Sequence, residues 1–157
     1  ASSSTVGATS SPRFPPPSYV KGSCSIPPDP ARAAEVQAWL AKVAANLRAA
    51  EHDLAAELPL LEDSLFHCRQ AAEKTLKAFL TSRNTSFRKT HDLNELGLQC
   101  AQVEASLEPL CRRVARLTAY AWIFRYPGQP GEPTMDEARS ALSLVRELLR
   151  NIEDRLA

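Results

Sequence analysis

Residues 66–80 read FHCRQAAEKTLKAFL, and the spacing of their apolar side chains decides the fold. Cys68, Ala72, Leu76 and Phe79 follow one another at steps of four, four and three, the repeat of an α-helix with one face turned to a core. A strand would alternate at every second residue, and this run does not. Leu65 continues the same face upstream, Pro59 interrupts it, and the polar run Asn84–Lys89 follows it. The expected helix therefore covers Leu61 to Ser82. Opposite the apolar seam stand His67, Gln70, Lys74 and Lys77, spaced three, four and three, so their head groups share a second face. That face has two readings: the solvated side of an ordinary helix, with Glu73 and Lys77 as a surface ion pair, or a surface that meets an anion.

The same periodicity extends in both directions. Asp29 suits an N-cap and Pro30 a first helical position, ahead of a stripe of Val36, Leu40, Val43, Leu47, Ala50 and Leu54. Asp92 and Glu95 have capping-box spacing and open a short helix bearing Leu93, Leu96 and Cys100. A fourth helix is expected from Leu107 through Leu110, Val114, Leu117, Ala121 and Phe124, ending at Pro127-Gly128. Thr134 and Glu137 form another capping box before Ala138, Leu142, Val145, Leu149, Ile152 and Leu156. No stretch alternates as a strand does. The fold expected is all-α, an antiparallel bundle of about five helices over residues 31–157.

Residues 1–30 hold seven of the twelve prolines and many serines, too little apolar surface to offset the entropy of ordering. They are expected to form an irregular N-terminal arm, so that the chain divides into that arm and one helical domain. The 157 residues carry a net charge of +1, which says little by itself, but the charge is unevenly placed. Leu65–His91 holds six Lys or Arg against Glu73 alone, and Pro109–Gly131 holds four Arg and no acid. Such separation along the chain predicts an anion-facing surface. The four cysteines, Cys24, Cys68, Cys100 and Cys111, lack CxxC spacing, and three fall at apolar helical positions, which reads as buried reduced thiols. No run reaches the roughly 18 apolar residues of a membrane helix, and the N-terminus lacks the plan of a signal peptide. A cytoplasmic protein without cofactor or metal is the expectation.

Three strings in order, FHCRQAAEKTLKAFL at 66–80, THDL at 90–93 and FRYPG at 124–128, resemble the HEPN domain family over roughly Trp39 to Leu156. The resemblance implies an all-α bundle, commonly a homodimer, often paired with a minimal nucleotidyltransferase in toxin–antitoxin-like systems, and a ligand that is RNA or a nucleotide. Many members resemble one another further in being metal-independent ribonucleases. Their signature is an Arg followed, after roughly four to six residues, by a His, which supplies a base for the 2′-hydroxyl and a cation for the phosphate. Arg125 matches the arginine by position, but Pro130 to Glu132 contain no histidine. Arg83 and His91 are separated by seven residues, one too many, and Arg88 stands too close to His91.

The expected function is therefore a nucleotide- or RNA-binding subunit rather than an enzyme. Its expected binding residues are His67, Gln70, Lys74, Lys77, Arg83, Arg88, Lys89 and Arg125. A ribonuclease toxin using a variant pair of Arg125 and His91 is one alternative, and a structural helical scaffold is another. Trp122 and Ile123 extend the apolar surface of the fourth helix and suggest association through the fourth and second helices.

Overall fold

The computed structural model describes residues 29–124, 126–128 and 131–157. The N-terminal arm expected over residues 1–30 lies, up to residue 28, outside the described residues, as does Arg125. Helix α1 runs Pro30–Ala55, and Asp29 caps it by accepting the Ala31 N–H at 3.1 Å, with Pro30 in the first turn. Helix α2 spans Leu61–Ser82, α3 Leu93–Val103, α4 Glu108–Ala115 and α5 Met135–Leu156. Among the described residues there is no strand. The all-α bundle is as expected.

Helix α2 is the axis of the bundle. It packs against α1 along its length and also against α5, α3 and the segment that follows α4. Fourteen of its 22 residues are buried, far more than one seam supplies. Leu65, Cys68, Ala72, Leu76 and Phe79 are all fully buried in the core, where Val43, Leu96, Val114, Val145 and Ile152 meet them. The opposite face is covered too, because α1 lies across it. Ser64 donates to the Ala50 carbonyl at 3.0 Å, and His67 Nδ1 lies 3.2 Å from Asn46 Oδ1. An amphipathic repeat shows which side chains share a face, and a neighbouring helix decides whether that face is wet.

The two expected capping boxes differ in side-chain geometry. The Thr134–Glu137 capping box is closed both ways: Glu137 N–H donates to Thr134 Oγ1 at 3.1 Å and Thr134 N–H to Glu137 Oε2 at 2.8 Å. At α3 only half the box forms. Asp92 Oδ1 accepts the Asn94 N–H at 2.9 Å, but Glu95 turns away to a two-pronged contact with Arg88, both arms 3.0 Å. The Asp92 N–H goes instead to Thr90 Oγ1 at 3.1 Å.

The single fourth helix expected over Leu107–Phe124 is a correction. It is a 3-10 turn at Ala105–Leu107, then α4, then a 3-10 segment at Arg116–Ala121 that gives way to a turn at Trp122. The stretch is rich in β-branched and aromatic residues with low helix propensity. Its Thr118 hydroxyl also accepts the Leu93 N–H at 3.3 Å, which ties it to the start of α3.

Candidate functional site

A groove of about 620 Å³ opens between the first half of α2, the residues leading into α3, and the segment 118–124. From α2 it takes Glu62, Asp63, Phe66 and Arg69, which face one way because they lie three and four apart. His91 and Asp92 close one end, and Thr118, Tyr120, Trp122 and Phe124 form the far wall. Tyr120 and Phe124 stack with ring centres 6.0 Å apart, while Phe66 and Trp122 are exposed, Trp122 by 62%.

Behind the groove stands Glu73, only 3% exposed. Its carboxylate accepts from Lys77 Nζ at 2.8 Å and faces Arg69 Nη1 at 3.6 Å. His91 Nδ1 lies 3.1 and 3.2 Å from its two oxygens. A carboxylate accepts only, so Nδ1 carries a proton towards Glu73 and Nε2, across the ring, faces the open side. The His91 side chain is 79% exposed, so the imidazole is held from behind and reachable from the groove. Arg69, itself buried, donates to the His91 carbonyl at 3.3 Å and lies over the Phe66 ring at 5.6 Å. Glu73 on the ring and Arg69 on the backbone thus hold the turn at His91.

Of the eight residues expected to bind, Arg125 lies outside the described residues, and the other seven do not line this groove. Lys77 is buried, its ammonium over the rings of Trp39 at 5.6 Å and Phe87 at 5.9 Å, with Glu73 as partner. The expectation that it stands on an open face is thus a correction. Lys74 is half-buried and donates to Gln70 Oε1 at 2.5 Å. Burial, opposed by Glu73 and reinforced by Lys77, Lys42 and Arg69, holds its ammonium below the ordinary lysine value. His67 is wedged against Asn46, with Nε2 3.9 Å from Asp53 Oδ2. Arg83 donates to the Arg155 carbonyl at 3.1 Å, Arg88 pairs with Glu95, and Lys89 is exposed in the loop.

Five of the ten basic side chains in the two windows meet a carboxylate in space. Arg69 and Lys77 share Glu73, Arg88 meets Glu95, Arg112 pairs with Glu108, and Arg113 reaches Glu147 at 2.8 Å. Of the expected residues that lie among the described ones, the groove takes the candidate base His91. Glu73 had been read as an ordinary helical ion pair with Lys77. That pair is real, but nothing in the spacing shows that it is buried or that His91, 18 positions on, joins it. The signal within reach was compositional: a lone acid among alanines and three basic side chains on a core-facing helix.

This difference between Lys74 and Lys77 is measurable. Lys77→Ala is expected to cost about 2 kcal/mol or more, since it takes a partner from a buried carboxylate. Lys74→Ala should stay within about 1 kcal/mol, as exposed or half-exposed contacts do. Urea denaturation of the two variants checks the contrast.

Among the described residues no group of three or more His, Cys, Asp or Glu is placed to hold a metal ion, and no helix is long and apolar enough to cross a membrane. The fold and groove define an α-helical bundle whose second helix carries a buried Glu and whose next helix opens on a histidine bound to it. The HEPN domain model matches residues 36–155, and the chain belongs to the HEPN domain family. No curated protein and no solved structure matches it closely enough to compare.

Proposed function

We propose that this HEPN protein binds a nucleotide or single-stranded RNA, base first, in the groove beside His91. The observation that carries the reading is the groove itself, where aromatic planes from α2 and from residues 120–124 meet the outward side of an oriented imidazole. Each base stacked on such a ring contributes about 1–3 kcal/mol, whatever its identity. The carboxylates on the rim, Glu62, Asp63 and Asp92, accept from exocyclic amines and repel phosphate. The phosphate therefore points away from the rim, and binding depends on stacking more than on charge. In this reading the molecule associates through the exposed side chains next to the groove, Ile123 and Tyr126. They meet a second copy or the minimal nucleotidyltransferase that the family resemblance implies.

A titration of the full chain with a fluorescent single-stranded RNA at low and moderate salt tests this. The expected result is saturable binding with a shallow salt dependence, unchanged in Lys74→Ala. Absence of binding, or a steep salt dependence abolished by Lys74→Ala, would contradict it.

One observation favours ribonuclease action as a second reading. A buried carboxylate on Nδ1 leaves His91 Nε2 able to take a proton from a 2′-hydroxyl. In that case His91→Ala abolishes cleavage of the bound RNA while leaving binding by the aromatic wall.

A further inference from the structure

Helices α3 and α4 form a hairpin that crosses closely. A Cβ placed on Gly97 would lie 3.1 Å from the Cβ of Cys111, so any larger residue there would push the two helices apart by a few tenths of an ångström. Cys100 sits one turn further along α3, facing the same crossing, and is close enough to Cys111 for each thiol to shift the other's pKa. Both are buried, Cys100 entirely and Cys111 to 3% exposure. Cys100 Sγ also lies 3.8 Å from the Leu76 carbonyl. Cys111, unlike Cys100, lines a small cavity of about 80 Å³ that reaches it between Gly97, Leu98, Glu108 and Arg112. Water occupies about 30 Å³ in the liquid, so the cavity admits a small molecule such as hydrogen peroxide. Proteins and bulky disulfides do not fit.

We propose that Cys100 and Cys111 are a dithiol that hydrogen peroxide converts to an intramolecular disulfide, with Cys111 as the attacking sulfur and Cys100 as the resolving one. The Cys111 thiolate attacks one peroxide oxygen and the O–O bond breaks. The departing hydroxide takes up the thiol's proton as water and leaves a sulfenic acid on Cys111. Cys100 then attacks that sulfur, the S–O bond breaks, and a second water leaves with the Cys100 proton. Two thiols lose two electrons, and one peroxide becomes two waters.

The assignment of roles follows from environment. Interaction with the neighbouring Cys100 thiol outweighs burial and lowers the Cys111 pKa, whereas the same interaction, burial and the Cys111 charge raise that of Cys100. The third described thiol, Cys68, touches no such cavity, and burial pushes it up to about 12, so it serves as an internal control. The bond would brace the two walls of the groove, since His91 and Asp92 lead into α3 and α4 leads into the segment that Thr118 ties to Leu93.

The test treats the full chain with hydrogen peroxide, then blocks free thiols and maps the disulfide by peptide mass. The expected product is a Cys100–Cys111 cross-link, an intact mass lower by two hydrogens, and a Tm raised by about 5 °C that dithiothreitol reverses. In Cys100→Ser, a dimedone adduct is expected on Cys111. A cross-link through Cys68 or Cys24, oxygen addition with both thiols left unjoined, or no reaction at peroxide concentrations that oxidise free thiols would overturn the proposal. The mapping uses the unsubstituted chain and does not depend on how the variant folds.

Discussion

Glu73→Ala should lower the stability of the bundle by about 3–5 kcal/mol, a large share of the roughly 5–15 kcal/mol that holds a domain together. The cause is the company the carboxylate keeps. Arg69 and Lys77 are 5% and 6% exposed, and both lose their acidic partner at once. Lys77 would remain beneath Trp39 and Phe87 with no carboxylate to neutralise it. A buried cation such as Lys77 that loses its counter-ion costs far more than an exposed pair gains. The double variant Glu73→Leu with Lys77→Met should recover part of the loss, because well-packed apolar groups often replace a buried pair at little cost.

The same carboxylate sets a dependence on pH. Burial alone would raise the Glu73 pKa, but hydrogen bonds from Lys77 and His91, with the charges of both, bring it below its ordinary value of 4.5. A folded-state pKa below the unfolded one contributes stability that is present above the unfolded value and is lost as pH falls through the folded value. The wild-type protein should therefore weaken on acidification below about pH 4.5, and Glu73→Gln should flatten that part of the profile. Urea midpoints between neutral and acidic pH measure both effects. An unchanged acid limb in Glu73→Gln would mean that the carboxylate is not held as the structure places it.

The second large effect concerns binding. Trp122→Ala removes the most exposed ring of the groove wall and should weaken nucleotide or RNA affinity by about 5- to 150-fold, the equivalent of one stacked base. Phe66→Ala, on the opposite wall, should act in the same range. Neither should unfold the protein, because both side chains already face solvent, Phe66 by 44%. Equal affinity for wild type and both variants would remove the aromatic wall from the account.

The fold was legible in the sequence wherever a local rule acts alone. Asp29 before Pro30 marked the start of α1, Thr134 with Glu137 marked α5, and the apolar steps from Leu65 to Phe79 lay along the buried seam of α2. Legibility ended where a partner distant in sequence intervenes. Thr118 binds the Leu93 amide, and the expected long helix breaks into 3-10 turns around it. Arg88 draws Glu95 out of its capping box. The face of His67, Gln70, Lys74 and Lys77 was read correctly as one face, yet α1 covers much of it and Lys77 became part of the interior. Charge counted along the chain could not foresee that Glu73, Glu95, Glu108 and Glu147 would be carried to the arginines and lysines they neutralise. Of the candidate site, His91 was visible as a histidine before a helix. Its orientation by a buried glutamate one helix earlier was not.

The most direct test is a map of where the ligand sits. Amide and indole correlation spectra of the full chain, recorded during titration with a mononucleotide such as AMP, report each region separately. The groove account predicts shifts concentrated at His91, Asp92, Thr118 and Ala121 and at the Trp122 indole, with Lys42, Gln70 and Lys74 unmoved. Shifts centred on Lys42, Gln70 and Lys74 would put the ligand on the α1–α2 face and contradict it.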